Sequence, residues 1–203
     1  MKLRYSPTSP YVRKALACAI ELQLDDRIEL IPTDPWASGS DIGDDNPLGK
    51  VPALHTGDAG VLYDSAVICE YLDQLAGGGR LLPAAGAARI AVLRRHALAQ
   101  GMLDAAVNTL MERAKRPGEF TWQGWIDMQL MALRHSLAPL AEDLRAADGA
   151  VDLATVSAGC VLGYLDLRLA ADLDWRAEQP ELAAWYADFS QRPSMTRSAP
   201  PAG

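Results

Sequence analysis

The chain has 203 residues, of which 49% are hydrophobic, and a formal net charge of −7 from 26 acidic and 19 basic residues. This length suits one large domain or two small ones, and the apolar fraction excludes an intrinsically disordered chain. An acidic surface repels phosphate backbones, so we expect no nucleic acid partner.

Cysteine usage and hydropathy indicate the compartment. The three cysteines, Cys18, Cys69 and Cys160, are few, odd in number and far apart, which favours a reducing environment over a disulfide framework. No apolar signal-like run follows Met1, and the longest apolar-rich stretch, 153–173, carries three charged residues. We therefore expect a cytoplasmic protein without a membrane span. The three histidines lack metal-ligand spacing, so we expect no metal.

The first third of the chain alternates short strand-like and helix-like segments. Ser9-Pro10 is typical of a helix start, and Asp64 is expected to cap a second helix. This order, β-α-β, loop, β-β-α, predicts a small α/β domain. The pattern places strands at 3–5, 28–31, 51–55 and 61–63, with a polar loop at 33–49.

The remainder of the chain has helical periodicity. The run Gly77-Gly78-Gly79 is interpreted as a flexible break after the first domain. We therefore predict two domains, 1–78 and 86–203, the second of them all-helical. Its helices are expected at 88–114, at 121–146, after Asp152 and from Pro180.

Three motifs, in chain order, carry a family resemblance. The segment 8–14, Thr-Ser-Pro-Tyr-Val-Arg-Lys, resembles the redox loop of glutaredoxins, with Ser9 and Val12 in place of its two cysteines. The segment 46–54 looks like the N-P-x-G-x-V-P-x-L motif of glutathione transferases. The segment 63–72 is similar to that family's acidic-Ser pair followed by I-x-x-Y-L, and 151–155 is similar to its helix-capping segment with the Asp–Thr pair reversed.

On these motifs the chain is identified as a member of the cytosolic glutathione transferase family, of the bacterial serine type. The resemblance implies a thioredoxin-like N-terminal domain of β-α-β-β-β-α type, followed by an all-helical C-terminal domain. It also implies a homodimer that uses glutathione as a co-substrate and takes part in detoxification. Three alternatives remain open: a glutathione-binding stress or scaffold protein with little transferase activity, a glutathione-dependent lyase, isomerase or peroxidase, or a purely structural helical protein.

The resemblance assigns a glutathione-binding role to two short segments. A cis bond at Val51-Pro52 would let the Val51 backbone pair with the cysteinyl unit of glutathione, although Pro52 also fits an ordinary turn before an edge strand. Asp64-Ser65 would hold the γ-glutamyl unit at a helix start, although Asp64 also fits a plain cap. Lys50 is the best placed cation for the glutathione carboxylates. Further candidates for that role are Arg13, Lys14 and the loop 33–39.

Ser9 is the first catalytic candidate. A hydroxyl that donates to the glutathione sulfur, beside a helix start, stabilises the thiolate. The alternative role for Ser9 is to cap the helix that follows it. Thr8 and then Ser6 are the next candidates for contact with the thiol.

The helical half supplies candidates for a second-substrate pocket. Met102, Met111 and Trp122, together with Tyr11, would line a pocket for an apolar electrophile; the alternative for these residues is core packing. Family resemblance further implies that Asp104 reaches the glutathione ammonium bound to the partner subunit.

Overall fold

The computed structural model describes residues 1–201, which form two compact units. The first unit comprises Met1–Arg89 together with the segment that begins at Arg192, and the second comprises Ile90–Gln191. The sequence predicts a helical domain that spans 86–203. The segment from Arg192 instead packs within the first unit, where Arg192 and Ser194 both donate hydrogen bonds to Glu21.

The first unit is built on a four-stranded mixed sheet in the order β2-β1-β3-β4. Strand β1 is parallel to β2 and antiparallel to β3, and β3 is antiparallel to β4. With the helices around it, this sheet is the thioredoxin-like domain that the sequence predicts. The strands are β1 (Lys2–Tyr5), β2 (Glu29–Pro32), β3 (Ala53–His55) and β4 (Val61–Leu62).

The helices fall in both units. Helices α1, α2, α3 and α9 belong to the first unit, α5 to α8 belong to the second, and α4 begins in the first and continues into the second. Their bounds are α1 (Pro10–Glu21), α2 (Ile42–Asp45), α3 (Ser65–Leu75), α4 (Gly86–Lys115), α5 (Gln123–Ala146), α6 (Leu153–Arg168), α7 (Trp175–Glu178), α8 (Pro180–Phe189) and α9 (Pro193–Arg197). The helices α2, α7 and α9 have four or five residues, too few for a helical periodicity to indicate them in sequence.

The two faces of the sheet have different chemistry, because successive side chains of a strand point to opposite faces. Leu3 of β1 is buried and pairs in register with the buried Leu54 of β3. The next residue, Arg4, is ion-paired with Asp41 and with Asp45 of α2. Helices α1 and α3 pack against each other, with core residues such as Val12 and Ile68.

The glycine run after α3 is ordered around one buried carboxylate, and not the flexible break that its composition suggested. Asp73 is 3% exposed, and its two oxygens accept hydrogen bonds from the backbone N–H groups of Gly79, Arg80 and Leu81 at 2.7–3.1 Å. Glycine suits this turn because Gly77, Gly78 and Gly79 all have positive φ. The turn therefore satisfies a buried carboxylate that would otherwise be costly.

The second unit is organised around α6, whose residues 153–165 are all buried. A helix that is buried on every side lies at the centre of a helical bundle. Asp152 and Thr155 form a reciprocal capping box at its start, so the predicted capping role of this reversed pair is confirmed. Within residues 1–201, no helix is both long enough and apolar enough to cross a membrane.

Candidate functional site

The sheet topology brings three sequence motifs to one edge of the first unit. Strands β1 and β4 run in the same direction, because each is antiparallel to β3. Helices α1 and α3 follow these two strands, so both begin at the same edge of the sheet. The amino end of the antiparallel β3, preceded by Val51-Pro52, lies at that edge as well. The strand directions thus place Ser9, Val51 and Ser65 at the same edge of the sheet.

Ser9 is the N-cap of α1. Its Oγ accepts a hydrogen bond from the Val12 N–H at 3.4 Å, and Pro10 occupies the first helical position. The capping role expected for Ser9 is therefore confirmed. Ser9 and its neighbours Ser6 and Thr8 are all partly exposed, and the Ser9 N–H donates to the Ser6 carbonyl at 3.1 Å. A hydroxyl both accepts and donates, so capping leaves the Ser9 proton available to another acceptor.

The turn before β3 is shaped by Asn46, which is 2% exposed. Its amide nitrogen donates to the Lys50 carbonyl at 2.8 Å, and its amide oxygen accepts from the Leu48 N–H at 3.0 Å. Gly49 completes the turn with a φ of +64°. Asn46 is part of a sequence motif that predicts no role for it, yet its side chain determines the path of the chain into Val51.

The expected cis peptide bond between Val51 and Pro52 is confirmed. Both residues are buried, and both precede the paired residues of β3, which begin at Ala53. The backbone of Val51 therefore lies outside the strand register. Lys50 is exposed, as expected both for a ligand of the glutathione carboxylates and for an ordinary solvated lysine.

Asp64 and Ser65 form the start of α3. Asp64 is exposed and is the N-cap: its Oδ1 accepts from the Ala66 N–H at 2.9 Å. Ser65 is the first residue of the helix and is 1% exposed. A second cis peptide bond, Tyr63-Asp64, precedes the cap; the sequence analysis did not predict it, since a non-proline cis bond has no local sequence signal. The carboxylate of Asp64 and the hydroxyl of Ser65 thus belong to adjacent residues at the start of α3.

Two of the predicted carboxylate ligands are already engaged in the fold. Lys14 is fully buried at 0% exposure, so its ammonium does not face a ligand at the surface. Arg13 donates through Nη2 to the Met195 carbonyl at 3.3 Å, within the first unit. Lys14 thus occupies an inward position of α1, and Arg13 holds the returning C-terminal segment; a role of either residue in binding the glutathione carboxylates stays a prediction.

A charged cluster fixes α2 against the sheet, ahead of Asn46. Arg4 pairs with Asp41 and Asp45, and Asp45 Oδ2 lies 3.0 Å from Nε2 of His55. The hydrogen bond from Arg4 holds the pKa of Asp41 below its ordinary value. No group of three or more His, Cys, Asp or Glu side chains in residues 1–201 is arranged to hold a metal ion.

The remaining candidates differ in exposure. Tyr11 is partly exposed in the first turn of α1. In the second unit, Met111 is partly exposed on α4, whereas Met102 is 2% exposed and lies in the core of that unit. Trp122 is 62% exposed and stacks on Trp125 with ring centroids 6.2 Å apart.

Asp104 lies exposed on α4. Its Oδ1 accepts from Nε2 of Gln100, one turn earlier, at 3.2 Å. This hydrogen bond is local to α4.

A four-stranded mixed sheet with α1 and α3, followed in the chain by a helical unit, defines the class of proteins with a thioredoxin-like domain and a helical C-terminal region. Comparisons with known proteins identify the family within this class. The family model for the glutathione S-transferase N-terminal domain matches residues 8–75. The chain is also 32% identical over 206 residues to the uncharacterized GST-like protein YibF of Escherichia coli K12, with 99% of both sequences covered. The chain belongs to the glutathione transferase family.

Solved structures support the same assignment over the whole length. A glutathione transferase family member from Pseudomonas fluorescens Pf-5, with bound glutathione, is 42% identical with a TM-score of 0.92, and the match covers 99% of each chain. A glutathione S-transferase from Methylobacillus flagellatus KT, with glutathione bound, is 39% identical with a TM-score of 0.90 over 98% of this chain and 99% of the other. The fold predicted from the motifs is therefore confirmed.

Proposed function

We propose that this chain is a glutathione transferase that binds glutathione across the starts of α1 and α3 and directs its thiolate at a small electrophile. The observation that carries the proposal is the meeting of Ser9, Val51 and Ser65 at one edge of the sheet. Each supplies a different group: a hydroxyl, an unpaired strand backbone and a helix start. The two relatives with bound glutathione, at 42% and 39% identity, support the same ligand.

The γ-glutamyl unit would bind at α3. Its α-carboxylate meets the helix start, where N–H groups and the helix dipole favour an anion. The Ser65 hydroxyl donates to the same carboxylate. Asp64 uses Oδ1 for its cap, which leaves Oδ2 for the glutathione ammonium. The two residues therefore recognise opposite charges on one amino acid.

The cysteinyl unit would pair with Val51 as an added strand, through the backbone N–H and C=O that lie outside the register of β3. Asn46 positions these groups by holding the Lys50 carbonyl. The Lys50 side chain, exposed beside them, binds a glutathione carboxylate. Pro52 orients the strand toward the ligand.

Ser9 would stabilise the thiolate by donating its hydroxyl proton to the sulfur. A free thiol has a pKa of about 8.5, and lowering this pKa by about two units requires about 2.7 kcal/mol. A hydrogen bond to a charged group contributes about 1.5–3 kcal/mol and a helix start about 0.3–1 kcal/mol. Together they amount to about 1.8–4 kcal/mol, a range that includes this requirement. The thiolate then forms a carbon–sulfur bond with the electrophile, and the leaving group departs with its electron pair.

Serine at this position also limits the chemistry. A hydroxyl forms no mixed disulfide with glutathione, so conjugation is favoured over thiol transfer to disulfides. Tyr11, Met111 and Trp122 are the candidates to contact the electrophile, whereas the burial of Met102 favours its alternative role in core packing. Detoxification of electrophiles in the cytoplasm, by a homodimer in which Asp104 reaches the partner's glutathione, fits this proposal. We propose no metal.

Titration calorimetry with glutathione tests the binding step, and an electrophile panel tests the transfer. Binding with a dissociation constant at or below the millimolar range supports the site, and absence of heat at millimolar glutathione contradicts it. Binding without conjugation of any electrophile favours the second candidate, a glutathione-binding protein. Turnover of a hydroperoxide or an isomerisable substrate instead favours a peroxidase or isomerase on the same fold.

A further inference from the structure

Two cysteines face each other across the contact between α1 and α3. Cys18 lies in the third turn of α1 and Cys69 in the second turn of α3, with exposures of 0% and 2%. Neither cysteine forms a disulfide in this structure, and a side-chain hydrogen bond joins Cys18 and Cys69. The proposed glutathione site uses neither side chain, so this pair is a chemical group without an assigned role.

Small buried side chains lie near each cysteine along its own helix. Ala15 and Ala19 on α1 are buried at 1% and 0%, and Ser65 on α3 is buried one turn before Cys69. Helices that pack through small residues approach to about 8 Å between axes, and each Cα lies about 2.3 Å from its axis. Facing Cα atoms then fall within the separation of less than about 7 Å that a disulfide requires.

The surroundings of Cys69 favour its thiolate. The hydrogen bond from Cys18 lowers the pKa of Cys69; burial opposes this, the charge of Lys14 lowers the pKa further, and Asp64 raises it. The net effect is a pKa below the ordinary value. Lys14 is fully buried, one turn before Cys18 on the same helix. The fold thus keeps a cation beside a pair of thiols inside the unit.

We propose that Cys18 and Cys69 form a reversible disulfide when the protein meets a hydroperoxide, which cross-links α1 to α3. The sulfur of Cys69 attacks the peroxide, its S–O bond forms as the O–O bond breaks, and an alcohol or water leaves with the thiol proton. Cys18 then attacks the sulfur of the resulting sulfenic acid, and its proton leaves with the hydroxyl as water. Two equivalents of a small thiol reverse the reaction and leave as one disulfide.

The cross-link joins the two helices whose first turns carry Ser9 and Ser65. Oxidation therefore acts on the scaffold of the candidate site, without consuming any group placed in it. Formation of the disulfide does not depend on glutathione binding.

Peroxide treatment of the full-length folded protein tests the proposal. The reduced protein is exposed to hydrogen peroxide, quenched with iodoacetamide, digested with trypsin without reduction, and analysed by mass spectrometry. We expect one cross-linked species, formed by peptides 15–27 and 51–80, which contain Cys18 and Cys69. Addition of dithiothreitol should separate them.

Cysteine variants supply the controls. Cys160→Ser should keep the cross-link, and Cys69→Ser should lose it completely. Cys18→Ser should stop at the sulfenic acid of Cys69, which dimedone labels. Circular dichroism recorded beside each reaction shows that the fold persists.

Two outcomes overturn the proposal. One is a folded wild-type protein whose Cys18 and Cys69 are both recovered as alkylated cysteines, and so were not oxidised by peroxide. The other is cross-linking of peptide 146–168, which contains Cys160, in a yield equal to that of the species that joins peptides 15–27 and 51–80. That result would mean that oxidation follows unfolding and has no relation to the contact between α1 and α3.

Discussion

Arg192 donates hydrogen bonds from Nε and Nη2 to the two carboxylate oxygens of Glu21, at 2.8 and 2.9 Å. Ser194 adds a third, from its Oγ to Glu21 Oε1 at 2.5 Å. Glu21 is the last residue of α1, and Arg192 and Ser194 belong to the returning C-terminal segment. One carboxylate therefore anchors this segment to the helix that begins at Ser9.

Replacement of Arg192 by methionine should lower the free energy of unfolding by about 1–3 kcal/mol, because it leaves a partly buried carboxylate short of two charged hydrogen bonds. Arg145→Met is the matched control, since Arg145 pairs with Glu181 at a site where both side chains are more than 60% exposed. That variant should change stability by less than about 1 kcal/mol. Urea unfolding measures both, and equal effects of the two substitutions would contradict the anchoring role.

The same ion pair predicts an acid dependence of stability. Burial raises the pKa of Glu21, but the hydrogen bonds from Arg192 and Ser194 outweigh it and hold the pKa below the ordinary 4.5. A carboxyl with a lowered folded-state pKa contributes stability above its unfolded pKa, and this contribution is lost as the pH falls through the folded value. We expect the loss to begin below about pH 5.

Unfolding experiments between pH 7 and pH 3 should therefore show a smaller acid loss in Glu21→Gln than in the wild type. Glutamine keeps the shape of the side chain but does not titrate. Parallel curves for the two proteins would show that the Glu21 carboxyl has the same pKa in the folded and unfolded states.

Ser9→Ala should raise the pKa of bound glutathione by about one to two units, which corresponds to the loss of one hydrogen bond to a charged sulfur. Conjugation at neutral pH should fall, and the deficit should shrink at high pH, where the thiol ionises without help. Thiolate absorbance against pH measures the shift. Glutathione affinity should change little, because the Val51 and Ser65 contacts remain.

The cap that Ser9 forms with Val12 predicts a second effect, a loss of about 1 kcal/mol of stability. A variant that melts at lower temperature yet ionises bound glutathione normally would leave Ser9 as a cap alone. Thr8→Ala is the matched control. If Ser9 proves to be a cap alone, Thr8 becomes the next candidate for contact with the thiol.

Asn46→Ala should weaken glutathione binding although the side chain touches no proposed ligand atom. The substitution removes the hydrogen bonds to Lys50 and Leu48 from a buried turn, which we expect to cost about 1–3 kcal/mol and to displace the Val51 backbone. Calorimetry and urea unfolding on one preparation separate the two effects. Loss of stability with unchanged affinity would contradict the positioning role.

The protein should be a homodimer, with a mass by light scattering of about twice the 21.8 kDa of one chain. Asp104→Asn should weaken glutathione binding if the carboxylate meets the ammonium in the partner. Asp127→Asn is a close control, because Asp127 is also exposed and also accepts from a glutamine one turn earlier, Gln123. A monomer at micromolar concentration, or equal effects of the two substitutions, would remove Asp104 from the site.

Local sequence signals predicted the parts of the site that depend on neighbouring residues. Ser9-Pro10, Asp64 and the Asp152–Thr155 pair each start a helix, because a cap needs only the residues within one turn of it. The motif around Val51-Pro52 likewise predicted a cis bond that is present. The β-α-β, β-β-α order of elements likewise predicted a small α/β domain, whereas the strand order β2-β1-β3-β4 is known only from the structure.

Tertiary structure alone decided which charged side chains are free to bind a ligand. Lys14 and Arg13 are adjacent and look alike in the sequence, yet one is fully buried and the other binds the Met195 carbonyl. The return of Arg192 to Glu21 joins residues that are 171 positions apart. Helical periodicity identifies an apolar face, but burial of a particular cation depends on which distant segment packs over it, and no local pattern contains that information.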